Sequence, residues 1–145
     1  MIGLLQRVPS AYVEIDGERF GEIGHGLVVL VGMERGDTEA KAVRLLDKML
    51  AYRVFNDDQG RMNLSLRDVA GGLLLVPQFT LAADTRKGLR PGFSSAAVPE
   101  LAEGLFNHLV DHARTVYPDV AAGRFGANMQ VGLVNDGPVT FWLQI

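Results

Sequence analysis

Two unbroken apolar runs, Leu27-Val28-Val29-Leu30-Val31 and Leu73-Leu74-Leu75-Val76, most tightly constrain how this chain folds. A strand with one wet face alternates apolar and polar residues. A run without alternation fits a strand covered on both sides, so both runs are expected to be buried strands. Other segments do alternate. Tyr12-Val13-Glu14-Ile15 is followed by Asp16-Gly17, a strong two-residue hairpin signal, with a return strand through Phe20 to Ile23. Met62, Leu64 and Leu66 also alternate with polar residues and predict a short extended piece. Gly71-Gly72 breaks the chain before the second run.

Two helices are expected between the strands. The first has Asp37 as N-cap and Glu39 in its first turn, with Ala42, Leu45, Leu46, Met49 and Leu50 at helical spacing. The second starts at Pro99, carries Leu101, Leu105, Leu109, Ala113 and Val116 as its apolar stripe, and ends at Tyr117-Pro118. The C-terminal segment reads as strands over Met129–Val134 and Val139–Leu143, joined by a turn at Asn135–Pro138. The expected class is α+β, with largely antiparallel sheets or a partly closed β-barrel and two main helices.

At 145 residues and 48% hydrophobic composition the chain suits one domain, residues 1–145, with a sizeable core. There is no long apolar region at the start and no run near the roughly 20 residues of a membrane helix, so a cytoplasmic protein with no membrane partner is expected. The absence of cysteine excludes disulfides and a thiol nucleophile. A formal charge of −3 argues against coating long stretches of nucleic acid, and no DNA partner is expected; it leaves open contact with one end of an RNA.

The ordinary catalytic motifs are missing. Gly92-Phe93-Ser94-Ser95-Ala96 is not a nucleophile elbow, and no phosphate-binding glycine loop occurs. His108 and His112 have metal-ligand spacing, but Leu109 stands where a zinc protease needs Glu, so they read as flanks of the apolar stripe and no metal or other cofactor is expected. His25, between Gly24 and Gly26, reads as a turn residue. Pro77-Gln78-Phe79-Thr80-Leu81 reads locally as a strand end, and Asn135-Asp136-Gly137-Pro138-Val139-Thr140 as a hairpin turn.

Order and separation of these segments alter that reading. With Leu4-Leu5-Gln6-Arg7-Val8, Tyr52-Arg53-Val54-Phe55, Met62 to Leu66, Arg124-Phe125-Gly126 and Met129-Gln130-Val131, they make the chain resemble the D-aminoacyl-tRNA deacylase family from end to end. That family carries a Ser-Gln-Phe-Thr segment and an Asn-x-Gly-Pro-Val-Thr segment. The second is matched at Asn135 to Thr140. The first is matched at Gln78, Phe79 and Thr80, with Pro77 in place of Ser, which removes a hydroxyl and a backbone N–H from the pocket rim. Asn128 and Gly92 also depart from the family pattern.

The resemblance implies a deacylase-like fold, a homodimer, and hydrolysis of the ester joining a D-amino acid to the 3′ end of tRNA, with glycyl-tRNA mischarged on tRNA-Ala also accepted. It implies a cis Gly137–Pro138 bond whose carbonyls enter the partner's site and exclude L-amino acids. Gln78, Phe79 and Thr80 would form the catalytic segment, with N–H groups of Phe79 and Thr80 binding the oxyanion. Phe125 and Met129 would line the adenine end, a core role being nearly as compatible, and Arg7 would brace the Gly-Pro loop. Arg86, Lys87 and Arg90 would meet acceptor-stem phosphates, or simply remain solvated. Three other readings stay open: a nucleic-acid-binding module without chemistry, a related deacylase with a trans Gly-Pro bond acting on L-alanyl-tRNA, and a structural dimerisation domain.

Overall fold

The computed structural model describes residues 1–86 and 88–145. The strands are β1 (Ile2–Val8), β2 (Ala11–Ile15), β3 (Glu18–Ile23), β4 (Gly26–Gly32), β5 (Phe55–Asn56), β6 (Met62–Leu64), β7 (Gly72–Pro77), β8 (Val120–Ala122), β9 (Gln130–Leu133) and β10 (Thr140–Gln144). The helices are α1 (Glu39–Ala51), α2 (Leu66–Val69) and α3 (Pro99–Val116), with one 3-10 turn over Phe79–Ala82. A five-stranded sheet runs β10-β1-β4-β7-β8, a three-stranded sheet β3-β2-β9, and β5 pairs with β6. The β4–β7 and β7–β8 pairs are parallel and the others antiparallel, so the fold is α+β and largely antiparallel.

Both apolar runs are central strands of the larger sheet, and their alternate residues enter different cores. Leu27, Val29, Val31, Leu73 and Leu75 pack with Leu45, Leu46 and Met49 of α1 and with Leu105, Phe106 and Leu109 of α3. Val28, Leu74 and Val76 pack with Val8, Val13, Ile15 and Ile23 from the smaller sheet side. The result is three layers: helices, the five-stranded sheet and the three-stranded sheet. A strand in the middle layer has no wet face, which is why its sequence does not alternate.

Local details depart from the sequence reading in four places. The N-cap of α1 is Thr38, whose Oγ1 accepts from the Lys41 N–H at 3.4 Å; Asp37 is drawn away because its buried carboxylate accepts from the Glu34 N–H, the Met1 ammonium and Lys41. Leu66 ends no strand but starts α2, because Ser65 and Asp68 form a reciprocal capping box. The buried face of α3 is Ala102, Leu105, Phe106, Leu109, Val110 and Ala113, leaving Leu101 and Val116 exposed on its flanks. Finally, β9 and β10 form no hairpin. They join different sheets, β9 beside β2 and β10 beside β1, so residues 135–139 are a bridge between sheets. The Asp16-Gly17 hairpin does form, with φ of 54° and 80° at the two turn residues.

Candidate active site

β7 ends at Pro77, opposite Val31 on β4, and the next N–H, that of Gln78, donates to the Val31 carbonyl at 2.8 Å. Proline suits this final position because the strand asks no N–H of it. The chain then tightens into the 3-10 turn. The Gln78 carbonyl accepts from the Leu81 N–H at 3.2 Å, while the N–H groups of Phe79 and Thr80 have no acceptor among the described residues. Gln78 Nε2 donates to Thr80 Oγ1 at 2.6 Å, and Thr80 is exposed.

This turn sits at the rim of a cavity of about 490 Å³. Val76, Pro77, Gln78 and Phe79 form one wall. The segment Phe125 to Met129 and Val131 form the opposite wall, and Ala97, Pro99 and Ala102 close the side next to α3. Thus Gln78, Phe79, Phe125 and Met129, dispersed over fifty residues of sequence, share one cavity; Thr80 lies beside it, tied to Gln78. Gly123 permits the far wall to come this close, since a Cβ there would stand 2.7 Å from Met129 Sδ. Ala97, Pro99 and Ala102 were not legible as site residues: they are small apolar residues at a helix start, and only the packing of α3 brings them to the cavity. Phe79 is 55% exposed and its ring lies 5.1 Å from that of Phe93, so the rim is aromatic and open to solvent.

The Asn135–Thr140 segment lies apart from this cavity; none of its residues lines it. The segment is held from within and from below. Asn135 Oδ1 accepts from the Val139 N–H at 2.8 Å, and Asn135 Nδ2 donates to Thr140 Oγ1 at 2.7 Å. Arg7, 7% exposed on β1, donates from Nη1 to the Val54 carbonyl at 2.7 Å and from Nε to the Asp136 carbonyl at 3.2 Å, with the Asp136 carboxylate 3.1 Å away. The Arg7 backbone completes the clamp, accepting from the Asp136 N–H at 2.8 Å and donating to the Val139 carbonyl at 3.1 Å. The Gly137–Pro138 bond is cis, both residues are exposed, and Gly137 has φ of 128°.

Of the basic loop, Arg86 forms a two-pronged pair with Asp84, Nε and Nη2 donating at 2.9 and 2.8 Å, and this guanidinium holds the Asp84 carboxyl well below the usual carboxylate range. Arg90 is exposed, and Lys87 lies outside the described residues. His108 and His112 stack with ring centroids 6.3 Å apart, and His108 Nδ1 lies 3.7 Å from Glu39. No group of three metal-ligating side chains occurs among the described residues. His25 occupies the bend between β3 and β4, its ring edge-on to Phe55. No described helix is long and apolar enough to cross a membrane.

Comparison with known proteins bears directly on this arrangement. A D-aminoacyl-tRNA deacylase of Thioalkalivibrio sulfidiphilus is 63% identical over 145 residues, covering 100% of this chain and 97% of the relative. A solved c-Myc DNA unwinding element binding protein is 38% identical with a TM-score of 0.95, over 100% of this chain and 99% of its own. A solved probable eukaryotic D-amino acid tRNA deacylase shares the fold, with a TM-score of 0.82 at 17% identity, over 99% and 98% of the two chains. The family model described as D-Tyr-tRNA(Tyr) deacylase matches residues 4–144, and the chain belongs to that family.

Proposed function

We propose that the chain, as a member of this deacylase family, hydrolyses the ester between a D-amino acid and the 3′ end of tRNA. The observation that carries the reading is the meeting, in one cavity, of the Gln78–Thr80 turn and its unpaired N–H groups with an apolar wall containing Phe125 and Met129. The terminal adenine fits that wall, and the ester carbonyl fits the turn. Water adds to the carbonyl carbon, and the charge that develops on the carbonyl oxygen is taken by the N–H groups of Phe79 and Thr80; such donors are each worth roughly 3–4 kcal/mol to a transition state. The bond to the ribose oxygen then breaks, that oxygen takes a proton, and the amino acid leaves as carboxylate. The neighbouring ribose hydroxyl relays the proton, because no imidazole or carboxylate is hydrogen-bonded to Thr80 among the described residues.

The Gly137–Pro138 carbonyls act, in this reading, in the cavity of a second copy. Support comes from the exposed, clamped loop that does not line its own chain's cavity. A rigid pair of acceptors near the α-ammonium fills the space an L-side chain needs and leaves room for a D-side chain or for glycine, so glycyl-tRNA mischarged on tRNA-Ala is a further substrate. The homodimer is then the active unit. Aminoacyl-tRNA is used in the cytoplasm, which is the compartment proposed. Arg86, Lys87 and Arg90 meet acceptor-stem phosphates once Arg86 exchanges Asp84 for phosphate.

Hydrolysis of D-Tyr-tRNA against L-Tyr-tRNA tests the activity, and sedimentation with activity measured across dilution tests the shared site. Rapid D-selective hydrolysis that falls as the dimer dissociates is expected. Full activity from a monomer would remove the cross-subunit loop, and binding of nucleic acid without ester hydrolysis would favour the second reading, a non-catalytic binding module, which the DNA-binding name of the 38%-identical structure motivates.

A further inference from the structure

A second cleft, of about 450 Å³, lies on the other side of Phe125. Phe125 is common to both cavities, so one begins where the other ends. Its floor is Phe106, Val110 and Ala122; its rim holds Phe20, Asn107, Arg114 and Arg124. Phe20 is 49% exposed on β3, and the Arg124 guanidinium lies over its ring, 5.6 Å from the centroid. Neither the Arg114 nor the Arg124 guanidinium has an ion-pair or hydrogen-bond partner among the described residues, unlike those of Arg7, Arg19 and Arg86. Two unpaired guanidinium groups beside a half-exposed aromatic ring are the elements from which single-stranded nucleic acid sites are made: a cation for the phosphate, a flat face for the base.

We propose that this cleft binds the nucleotide immediately 5′ of the terminal adenosine, with its base stacked on the Phe20–Arg124 platform and the phosphate linking it to the adenosine held by Arg124 and Arg114. The inference rests on the adenine end of the substrate lying against Phe125, as argued above. Glu103 and Asp111, on α3 with Arg114, repel phosphate and so leave it to the two guanidinium groups. The same carboxylates accept a hydrogen bond from an exocyclic amine, which the cytosine preceding the terminal adenosine of tRNA carries and a uracil does not. The cleft thereby adds affinity for any tRNA, independent of the amino acid, and reads only the common end.

Two non-hydrolysable probes test this: adenosine carrying an amide-linked D-amino acid at its 3′ position, and the same group on the dinucleotide cytidylyl-adenosine. On the unaltered protein, the dinucleotide should bind about tenfold or more tighter, the increment of one charge-assisted contact with stacking. Its affinity should fall with salt more steeply, by about 0.7 in the log–log slope for one added phosphate contact. Arg124→Gln should abolish both increments while the adenosine probe binds as before, which also reports an intact fold; Arg124→Lys should restore the salt slope in part. Equal binding of the two probes, or an Arg124→Gln loss that is the same for both, overturns the second cleft and leaves the deacylase site standing. Failure of the unaltered protein to bind either probe overturns the first cavity's assignment, and this inference with it.

Discussion

Gln78 Nε2 donates to Thr80 Oγ1 at 2.6 Å across the first residue of the 3-10 turn. An amide that donates its N–H to a hydroxyl oxygen is not a base for it, and no carboxylate or imidazole bonds to that hydroxyl among the described residues. The pair therefore braces the turn, in which the backbone N–H groups of Phe79 and Thr80 have no acceptor among the described residues.

Thr80→Ala should keep single-turnover hydrolysis of D-Tyr-tRNA within about tenfold, a change of about 1.4 kcal/mol in the barrier. The substitution removes the hydroxyl and retains the N–H. A fall of about 10⁴-fold, as follows loss of a triad member, would make Thr80 the nucleophile.

Arg7→Met should cost stability and selectivity together. The side chain is 8% exposed and serves the Val54 carbonyl and both oxygen-bearing groups of Asp136. Removing it leaves a buried carbonyl unmet, at about 1–3 kcal/mol, measured as a lower urea midpoint at unchanged slope. Held to β1 only by the two Arg7 backbone bonds, the Gly137 loop should also discriminate less, raising the relative rate on L-Tyr-tRNA. Arg7→Lys should not restore selectivity, since one ammonium cannot reach both Val54 and Asp136 in the planar fork's geometry.

Much of the framework was legible because local and tertiary requirements agree. Leu27–Val31 and Leu73–Val76 could be assigned as doubly covered strands because a middle layer admits apolar residues at every position. Asp37 and Leu66 were misread where a tertiary partner outweighs the local signal. Asp37 is a good cap, but the Met1 ammonium and the Glu34 N–H engage it; Leu66 continues an alternation, but the Ser65–Asp68 box turns the chain. The parallel pairing of β4, β7 and β8 has no local signature, because it depends on crossovers through α1 and α3. For the site, Gln78, Phe79, Phe125 and Met129 came from the resemblance. Their shared cavity and the contribution of Ala102 belong to packing alone.

The Ser65–Asp68 box also has a pH signature. The Ser65 hydroxyl and N–H, at 2.6 and 2.8 Å, hold the Asp68 carboxyl below its ordinary value. A lowered folded-state pKa contributes stability that is complete above the unfolded value, about 3.9, and disappears as pH falls through the lower folded value. Asp68→Asn should therefore reduce stability near neutrality and flatten its decline below about pH 4. An unchanged acid limb in thermal melts would show that the box contributes nothing in solution.

Pro77→Ser should change the rate on D-Tyr-tRNA by less than 100-fold, about 2.7 kcal/mol. Pro77 closes β7 at a position where no N–H is used, and the unpaired donors lie downstream at Phe79 and Thr80. A larger gain would mean that a hydroxyl at this rim position carries part of the chemistry.

Gly137→Ala gives the sharpest test of the loop. Gly137 has φ of 128°, a conformation favouring glycine, and a Cβ there would stand 2.7 Å from Val139 Cγ2 and 3.1 Å from the Val139 nitrogen. The second contact is with backbone that is itself tied to Asn135, so the loop must shift rather than a side chain rotate. The residue is exposed and outside both buried cores, so the fold should survive with a loss of about 1 kcal/mol or somewhat more. On the proposed cross-subunit reading, the displaced carbonyls of Gly137 and Pro138 should then fail to exclude L-side chains. The expected result is a melting temperature lowered by a few degrees, a large fall in the ratio of D-Tyr-tRNA to L-Tyr-tRNA hydrolysis, and an unchanged association state by sedimentation. An unaltered ratio with a visibly displaced loop would remove the Gly137–Pro138 carbonyls from chiral selection.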